Sequence, residues 1–171
     1  EGRGNLKDGF KGLVAAVAPT LSGSGCSGQG LSLYGNVDTA DGKAHFTGPL
    51  RSASLGCPDQ GLSLASASAA LDVTATAAFD GLSGKLGLTS GALGWDGARV
   101  QGLAGGGDFT LRAGDVTARY RLEGRGLASS ALGAERMLVE GMVRSRDRFA
   151  RLESEGTLEG HAVAPGKGLD T

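Results

Sequence analysis

Apolar and polar residues alternate with a period of two along most of the chain. In the clearest segment, 116–123, the even-numbered residues are apolar and the odd-numbered residues are Thr, Arg, Arg and Glu. Successive side chains of a strand point to opposite faces, so this pattern predicts a strand with one buried and one solvated face. The same alternation occurs in segments 31–33, 71–79, 109–113, 137–143 and 158–162.

The turns between these strands are marked by four Asp-Gly pairs, which begin at Asp8, Asp41, Asp80 and Asp96. Asp-Gly tolerates the positive φ angles of two-residue hairpin turns, so neighbouring strands are expected to pair as antiparallel partners. The run Gly105–Gly107 predicts a further turn or a close approach by another backbone. We expect about eight to twelve strands of about six to ten residues. Segment 127–138 is expected to hold a short helical or irregular excursion.

The alternation changes phase once in the first half of the chain. Leu62 and Leu64 are apolar at even positions, whereas the apolar positions from Leu71 onwards are odd. A one-residue slip exchanges the two faces of a strand, so a bulge or bend is predicted near segment 68–71.

The only two cysteines occupy the same place in two similar segments. Residues 26–33 and 57–64 share Cys26 or Cys57 and the run Gln-Gly-Leu-Ser-Leu, at an offset of 31 residues. Such a period is typical of repetitive β architectures, and it defines a weak repeat of 26–56 and 57–87. Stacked units would bring the cysteines together, which favours a disulfide and an oxidising compartment. The alternative is a pair of reduced, buried thiols.

Composition narrows the fold class. Gly accounts for 32 of the 171 residues and Pro for 4. Collagen is excluded because Gly is irregularly spaced and Pro is scarce. A helical bundle is disfavoured because interior Gly costs about 1 kcal/mol relative to Ala. The aromatic residues are five Phe, two Tyr and one Trp, so the core is expected to be thin and to consist of Leu, Val and Ala.

Neither charge nor motifs indicate a catalytic, metal or nucleic-acid site. The net charge is −1, which gives no long-range field to attract nucleic acid. The GxGxxG spelling at 23–28 precedes an alternating strand instead of a helix, so it is not a dinucleotide loop. His45 and His161 are isolated, and there is no second cysteine pair. We therefore expect no metal, no cofactor and no enzymatic activity.

The charged residues of the second half mix both signs along alternating strands. A solvated face with cross-strand ion pairs accounts for them. The alternative is a positive cluster that binds lipid phosphate or another anion, formed by Arg144, Arg146, Arg148 and Arg151.

Each predicted strand offers one face of small or medium apolar side chains, and the covering of that face decides the fold. Coverage by a second sheet or by closure would give a sandwich or barrel, whereas an uncovered face would form a trough with room for acyl chains. Gly48 and Gly141, within strands, would let the sheet curl. We predict an all-β fold: an elongated, strongly curled, mainly antiparallel sheet with an open trough. The alternatives are a β-sandwich and a β-solenoid.

The chain resembles the YdbH-like members of the AsmA/TamB superfamily, which are envelope proteins of Gram-negative bacteria. The resemblance lies in the Gly-punctuated alternating strands, in segments 40–50 and 55–58, and in the cysteine-bearing repeat. It implies a non-catalytic protein with an N-terminal inner-membrane anchor and a long, curled sheet. The hydrophobic groove of that sheet would conduct phospholipids across the periplasm to the outer membrane.

The resemblance also implies where this chain would lie in such a protein. The chain begins at Glu1 without an initiation sequence, and no apolar run is long enough to span a bilayer. We therefore expect residues 1–171 to be a single β-groove segment, an internal fragment of a larger protein. Membrane contact would occur only through segments outside it, including the missing N-terminal inner-membrane anchor.

The partners that the resemblance implies are phospholipid and, as a candidate, an outer-membrane lipoprotein. A groove-lining role is implied for seven residues of the alternating strands: Leu31, Leu33, Leu71, Val73, Val116, Tyr120 and Leu122. The alternative function is a structural or adhesive extracellular β-solenoid or sandwich that binds no lipid.

Overall fold

A computed structural model of the chain describes residues 2–5, 9–23, 25–39, 42–146 and 151–166. These residues form twelve strands of one antiparallel sheet and, among them, no α-helix. The strands are β1 (Gly2–Asn5), β2 (Gly9–Gly23), β3 (Cys26–Asp38), β4 (His45–Cys57), β5 (Leu62–Ala75), β6 (Gly81–Ser90), β7 (Ala92–Trp95), β8 (Ala98–Val100), β9 (Leu103–Arg112), β10 (Asp115–Ala128), β11 (Leu132–Arg146) and β12 (Arg151–Pro165). A 3₁₀ turn, Pro58–Gln60, joins β4 to β5.

The strands follow one another across the sheet in the order β1-β2-β3-β4-β5-β6-β9-β10-β11-β12. The short strands β7 and β8 extend β6 and β9 beyond a break, because β7 pairs with β5 and β8 pairs with β10 in the same registers. The predicted all-β fold with a curled antiparallel sheet is confirmed. The described strands form one sheet with antiparallel pairs, whereas a sandwich needs two sheets and a solenoid needs parallel stacking.

Cross-strand register keeps the apolar residues of successive strands on one face, which we call the apolar face. One row crosses eight strands at the level of Leu122. Its members are Leu33, Leu50, Ala69, Leu88, Gly105, Leu122, Val139 and Leu158. We call the opposite face, which carries most of the charged side chains, the polar face. On β2 and β3 this face is less polar than predicted, because Leu13, Val17 and Tyr34 lie exposed on it.

A single line of irregular residues crosses nine consecutive strand positions, and we call it the crease. It consists of Pro19, Gly30, Ala53, Ser66, Gly91, Gln101–Gly102, Gly126, Glu135 and Ala162. The paired registers skip these residues, and several have positive φ, including Ser66 at 51° and Gly126 at 62°. Apolar positions change parity there in β5, from Leu64 to Ala67. The bend predicted near residues 68–71 is thus present, two residues earlier and in every neighbouring strand.

Among the described residues, four of the five buried apolar side chains lie immediately beside the crease. Ala67, Val100, Leu103 and Ala134 are each at most 7% exposed, and each is next to a crease residue. Two buried serines also border the crease, at Ser52 and Ser90. Ser52 Oγ lies 2.8 Å from the carbonyl oxygen two residues ahead, and Ser90 Oγ lies 2.9 Å from its equivalent. Each hydroxyl also lies within hydrogen-bond distance of a carbonyl oxygen on the preceding strand. It can therefore donate its one proton to either of these two carbonyl groups beside the interrupted strand pairing.

The turns agree with the Asp-Gly prediction in part. Asp96 and Gly97, with φ of 46° and 81°, join β7 to β8 as predicted. At Asp80 the turn exists but spans more residues, and Thr76 Oγ1 donates a 2.6 Å hydrogen bond to the Asp80 carboxylate. Asp8 and Asp41 lie outside the described residues.

Two other expectations about segments need correction. The predicted irregular excursion at 127–138 is wrong, because β10 continues to Ala128 and β11 begins at Leu132. Gly105–Gly107 lies inside β9, where a Cβ on Gly105 or Gly107 would collide with the backbone of β10; close backbone approach is therefore the correct alternative. Several strands have 13 to 15 residues, longer than predicted, because pairing resumes beyond the crease.

The left-handed backbone at Ser66 predicts opposite effects for two substitutions at this exposed site. Ser66→Gly should raise the free energy of unfolding by about 0.5–1 kcal/mol, because Gly has no Cβ to resist positive φ. Ser66→Val should lower it by about 1–2 kcal/mol. The matched control is Ser68→Val, which lies on the same strand with ordinary φ and should be nearly neutral. Urea unfolding measures all three, and equal effects of Val at both positions would contradict a crease at Ser66.

Candidate functional site: the apolar trough

The apolar face between the crease and the far strand ends forms a broad surface that we call the trough. All seven residues predicted to line a groove lie on this face, and each is half-buried. Cross-strand neighbours connect them, since Leu71 is opposite Leu86 and Leu122 is opposite Val139. The described residues place no second layer over the trough, so these side chains keep part of their surface exposed. Their contact with lipid stays a prediction.

Sequence reasoning named fewer trough residues than the structure contains. Those missed include Phe46, Leu50, Leu82, Leu86, Leu88, Phe109, Leu111 and Val139. Leu82, Leu86 and Leu88 share even parity within β6, and this signal could have found them. Phe46 and Leu50 are harder to find, because Gly48 stands between them where the alternation calls for a third apolar side chain.

Glycines lie next to the largest side chains of the trough. A Cβ on Gly141 would lie 2.7 Å from the Tyr120 hydroxyl, and a Cβ on Gly35 would lie 2.7 Å from the ring of Phe46. Similarly, Leu122 covers Gly105 on the neighbouring strand. The rings therefore lie along the sheet, over positions without side chains, an arrangement known to support strand glycines. This packing leaves the space above the apolar face uncrowded.

The crease closes one side of the trough. A Cβ on Gly124 would lie 2.8 Å from Met137 and 2.9 Å from Val100, so these two side chains cover the glycine. Leu103, on the strand beside Gly124, is buried as well. These packed side chains bound the trough along the crease.

A disulfide joins Cys26 and Cys57 on the other side of the crease. It links the first residue of β3 to the last residue of β4, so it ties together two adjacent strand ends. The two copies of the sequence repeat differ in position: Leu31 and Leu33 lie on the trough side of the crease, and Leu62 and Leu64 lie beyond it. Proximity of the cysteines thus arises from antiparallel pairing, not from stacked units.

Charged residues on the polar face are paired across strands. Asp72, Lys85, Asp108 and Arg119 lie opposite one another in turn, with alternating sign. Arg121 forms an ion pair with Glu140 on β11. These exposed pairs each contribute little to stability, but they set complementary charges on neighbouring strands.

Two further side-chain contacts to carboxylates lie nearer the start of the sheet. His45 Nε2 is 2.7 Å from Asp72 Oδ1. Lys11 Nζ is 2.8 Å from Asp38 Oδ2, and this hydrogen bond together with the attraction of the carboxylate raises the pKa of Lys11 above its ordinary value.

The arginine cluster considered from the sequence lies at the far end of β11 and β12. Arg144 is opposite Glu153, and Arg146 is opposite Arg151. These side chains belong to the polar face and point away from the trough. Arg148 lies outside the described residues. The alternative role as an anion-binding cluster stays a prediction.

The described residues contain no group of three or more His, Cys, Asp or Glu side chains that could hold a metal ion. No helix among them has the length and hydropathy needed to cross a bilayer.

The fold and the trough together define a class of proteins built on a curled β-sheet with one exposed apolar face. Residues 9–166 match the YdbH-like family, described as "Intermembrane phospholipid transport protein YdbH". The chain belongs to the YdbH-like family, which is a family of intermembrane phospholipid transport proteins. No curated protein and no solved structure matches the chain.

The packing at Gly124 predicts an energetic coupling with Met137. Gly124→Ala should lower the free energy of unfolding by about 1–3 kcal/mol, because its Cβ would overlap both Met137 and Val100. Met137→Ala makes room, so the same glycine substitution should cost less in that background, by roughly 0.5 kcal/mol or more. Chemical unfolding of the four variants in the cycle measures the coupling. Additive effects would show that Met137 does not cover Gly124.

Proposed function

We propose that this chain is a non-catalytic β-groove segment whose trough binds phospholipid acyl chains and conducts them between the inner and outer membranes. The observation that carries the proposal is the continuous row of half-exposed apolar side chains across β3–β11. An exposed apolar face of this extent costs free energy in water unless something covers it. Acyl chains can cover it without specific contacts.

The dimensions of the trough suit several acyl chains. Neighbouring strands are about 4.8 Å apart, so the ten strand positions of the sheet span roughly 43 Å measured along the curl. One leaflet of a bilayer has a hydrocarbon thickness of about 15 Å. On β10 the trough runs along the strand from Val116 near the far edge to Gly124 beside the crease, a length of roughly 27 Å. An acyl chain can therefore lie along the strands, and the sheet is wide enough for several chains side by side.

Movement along the trough requires similar affinity at successive positions. Between the crease and the far strand ends, the rows on β4–β11 present mainly Leu, Val, Ala, Phe, Tyr and Gly, without a charged side chain. Hydrophobic attraction is non-directional and depends on the area removed from water. A lipid that moves by one strand therefore loses and regains similar contacts, which keeps the barriers between positions low.

The crease also favours one orientation of the bound lipid. Val100, Leu103 and Met137 close the trough along the crease, so acyl chains enter from the opposite side. Arg112 and Asp115 lie opposite each other near that far edge of the sheet. Headgroups would stay in water at this edge while the chains rest on the apolar face.

The setting of this function is the periplasm. We propose that residues 1–171 form one interior groove segment of a longer protein, anchored to the inner membrane by an N-terminal segment. An outer-membrane lipoprotein is the candidate partner. The Cys26–Cys57 disulfide supports an oxidising compartment. A lipid-free scaffold with a dry core is less well supported, because the trough residues are only half-buried.

Photo-crosslinking tests the proposal with matched probes on opposite faces. A photoreactive amino acid at Leu33 or Tyr120 should label phospholipid during expression in a Gram-negative periplasm, because both side chains belong to the trough. The control positions are Ser32 and Arg119, one residue away on the same strands and on the other face. We expect at least tenfold stronger lipid labelling from the trough positions. Equal labelling from both faces, or none from folded trough variants, would contradict the proposal.

A further inference from the structure

Charge pairing on the polar face reverses beside the crease. At mid-strand, opposite signs face each other, as at Lys85 and Asp108. Near the crease, Arg125 of β10 is directly opposite Arg136 of β11, which is directly opposite His161 of β12. Like charges placed directly opposite are destabilising. We call Arg125, Arg136 and His161 the basic row. An anion bound there would relieve the repulsion between the two exposed arginines.

A cavity coincides with this basic row. Its volume is about 880 Å³, and residues of β6, β9, β10, β11 and β12 line it. The lining includes Arg125, Arg136 and His161 together with Glu123 and Glu159. By strand alternation these five side chains share the polar face and point away from the trough. Leu103, Gly124 and Met137, which belong to the apolar-face row beside the crease, also line the cavity. A volume of this size is within the range of small-molecule sites.

Neither arginine of the row has an ionic partner in the described part of the chain. The ion pairs there use other basic groups, among them Lys11, His45 and Arg121. Glu123 lies 4.0 Å from Arg121, at the outer limit of an ion pair. The guanidinium groups of Arg125 and Arg136 thus retain their donors for a ligand.

The two carboxylates form a second row beside the basic row. Glu123 and Glu159 flank Leu138 on the neighbouring strands, and each is two residues from the basic row along its own strand. Two residues of a strand correspond to about 7 Å. The cavity thus has a cationic side and an anionic side separated by about the length of a small zwitterion.

We propose that this cavity binds a zwitterionic ligand that carries a phosphate group and an amine. Arg125 and Arg136 bind the phosphate, because planar guanidinium groups match phosphate oxygens in bidentate geometry. His161 adds a further donor. Glu123 and Glu159 accept hydrogen bonds from the ammonium group. The source of this chemistry is either a soluble phosphoamine or a phospholipid headgroup presented by a membrane surface.

Calorimetric titration of the 171-residue chain with phosphoethanolamine and with inorganic phosphate tests the basic row. Arg136→Gln should weaken binding of both compounds by about tenfold, since it removes a charge-assisted hydrogen bond. The matched control is Arg119→Gln, on the same face but outside the cavity, which should leave both affinities unchanged. Equal loss in the two variants would indicate a general charge effect and would overturn the site.

The acidic row is tested by the difference between the two compounds. Glu159→Gln should weaken phosphoethanolamine binding several-fold while leaving inorganic phosphate binding the same or tighter, because only the former has an amine. Glu155→Gln, on the same strand and face outside the cavity, is the control. If Glu159→Gln weakens neither compound, or if the wild-type chain binds neither at millimolar concentration, the proposal is wrong.

Vesicles of phosphatidylethanolamine separate the two sources of the ligand. If the ligand is a lipid headgroup, Arg136→Gln should reduce binding of the chain to vesicles. If the ligand is soluble, Arg136→Gln should weaken binding of free phosphoethanolamine and leave vesicle binding unchanged. Either result supports the site, and a variant that binds both vesicles and phosphoethanolamine as the wild-type chain does contradicts it. Lipid labelling from Leu33 and Tyr120 reports on the trough alone, so failure of this site leaves the proposed transport function separately testable.

Discussion

The structure depends on one constraint: every strand must keep its apolar residues in register with those of its neighbours. In an antiparallel sheet, residues directly opposite share a face, so a slip of one residue would turn a whole strand over. The row through Leu33, Leu88 and Leu122 shows this register maintained across the sheet. Large side chains fit this register because Tyr120 and Phe46 each lie over a glycine of an adjacent strand. The result is a continuous apolar face that no second layer of the described residues covers.

The same constraint explains the crease. If one strand changes the parity of its apolar residues, its neighbours must do so at the same level or lose the shared face. Ser66, Gly91, Gly102 and Gly126 occupy equivalent levels in successive strand positions, and small or flexible residues predominate there because positive φ or loss of pairing is required. Most of the buried apolar side chains lie directly beside this line. The protein therefore concentrates its limited core where the sheet bends and leaves the rest of the apolar face open.

Much of this arrangement could be predicted from the sequence, because period-two alternation reports the face of each residue directly. The seven expected lining residues fall on one face for that reason, and the parity change between Leu64 and Leu71 predicted the bend in β5. Its extension across the sheet could not be predicted, because it requires the pairing of distant strands. Gly48, between Phe46 and Leu50, and the glycines of β9 occupy trough positions that could not be predicted. Glycine has no apolar side chain to mark the alternation. The turn at Asp80 is present as predicted, but its length could not be predicted, because the Thr76 hydroxyl organises it through a hydrogen bond with no sequence signature.

The two faces of the sheet divide the chemistry of the chain. The apolar face offers non-directional contact to hydrocarbon, while the polar face carries charge patterns that depend on which strands are adjacent. Opposite charges at Lys85 and Asp108 stabilise the pairing of β6 with β9, whereas like charges at Arg125 and Arg136 leave a charged cavity. Both patterns follow from register, which links the fold to each candidate site.

The central claim is that the open apolar face holds phospholipid, and binding of acyl-labelled phospholipid to the folded chain tests it most directly. Leu86→Glu places a carboxylate in the trough, and Ser83→Glu places one on the polar face of the same strand, opposite uncharged threonines. We expect saturable binding to the wild-type chain, at least tenfold weaker binding to Leu86→Glu with an unchanged circular dichroism spectrum, and little change for Ser83→Glu. Equal binding by the two folded variants, or no binding by the wild-type chain, would contradict it.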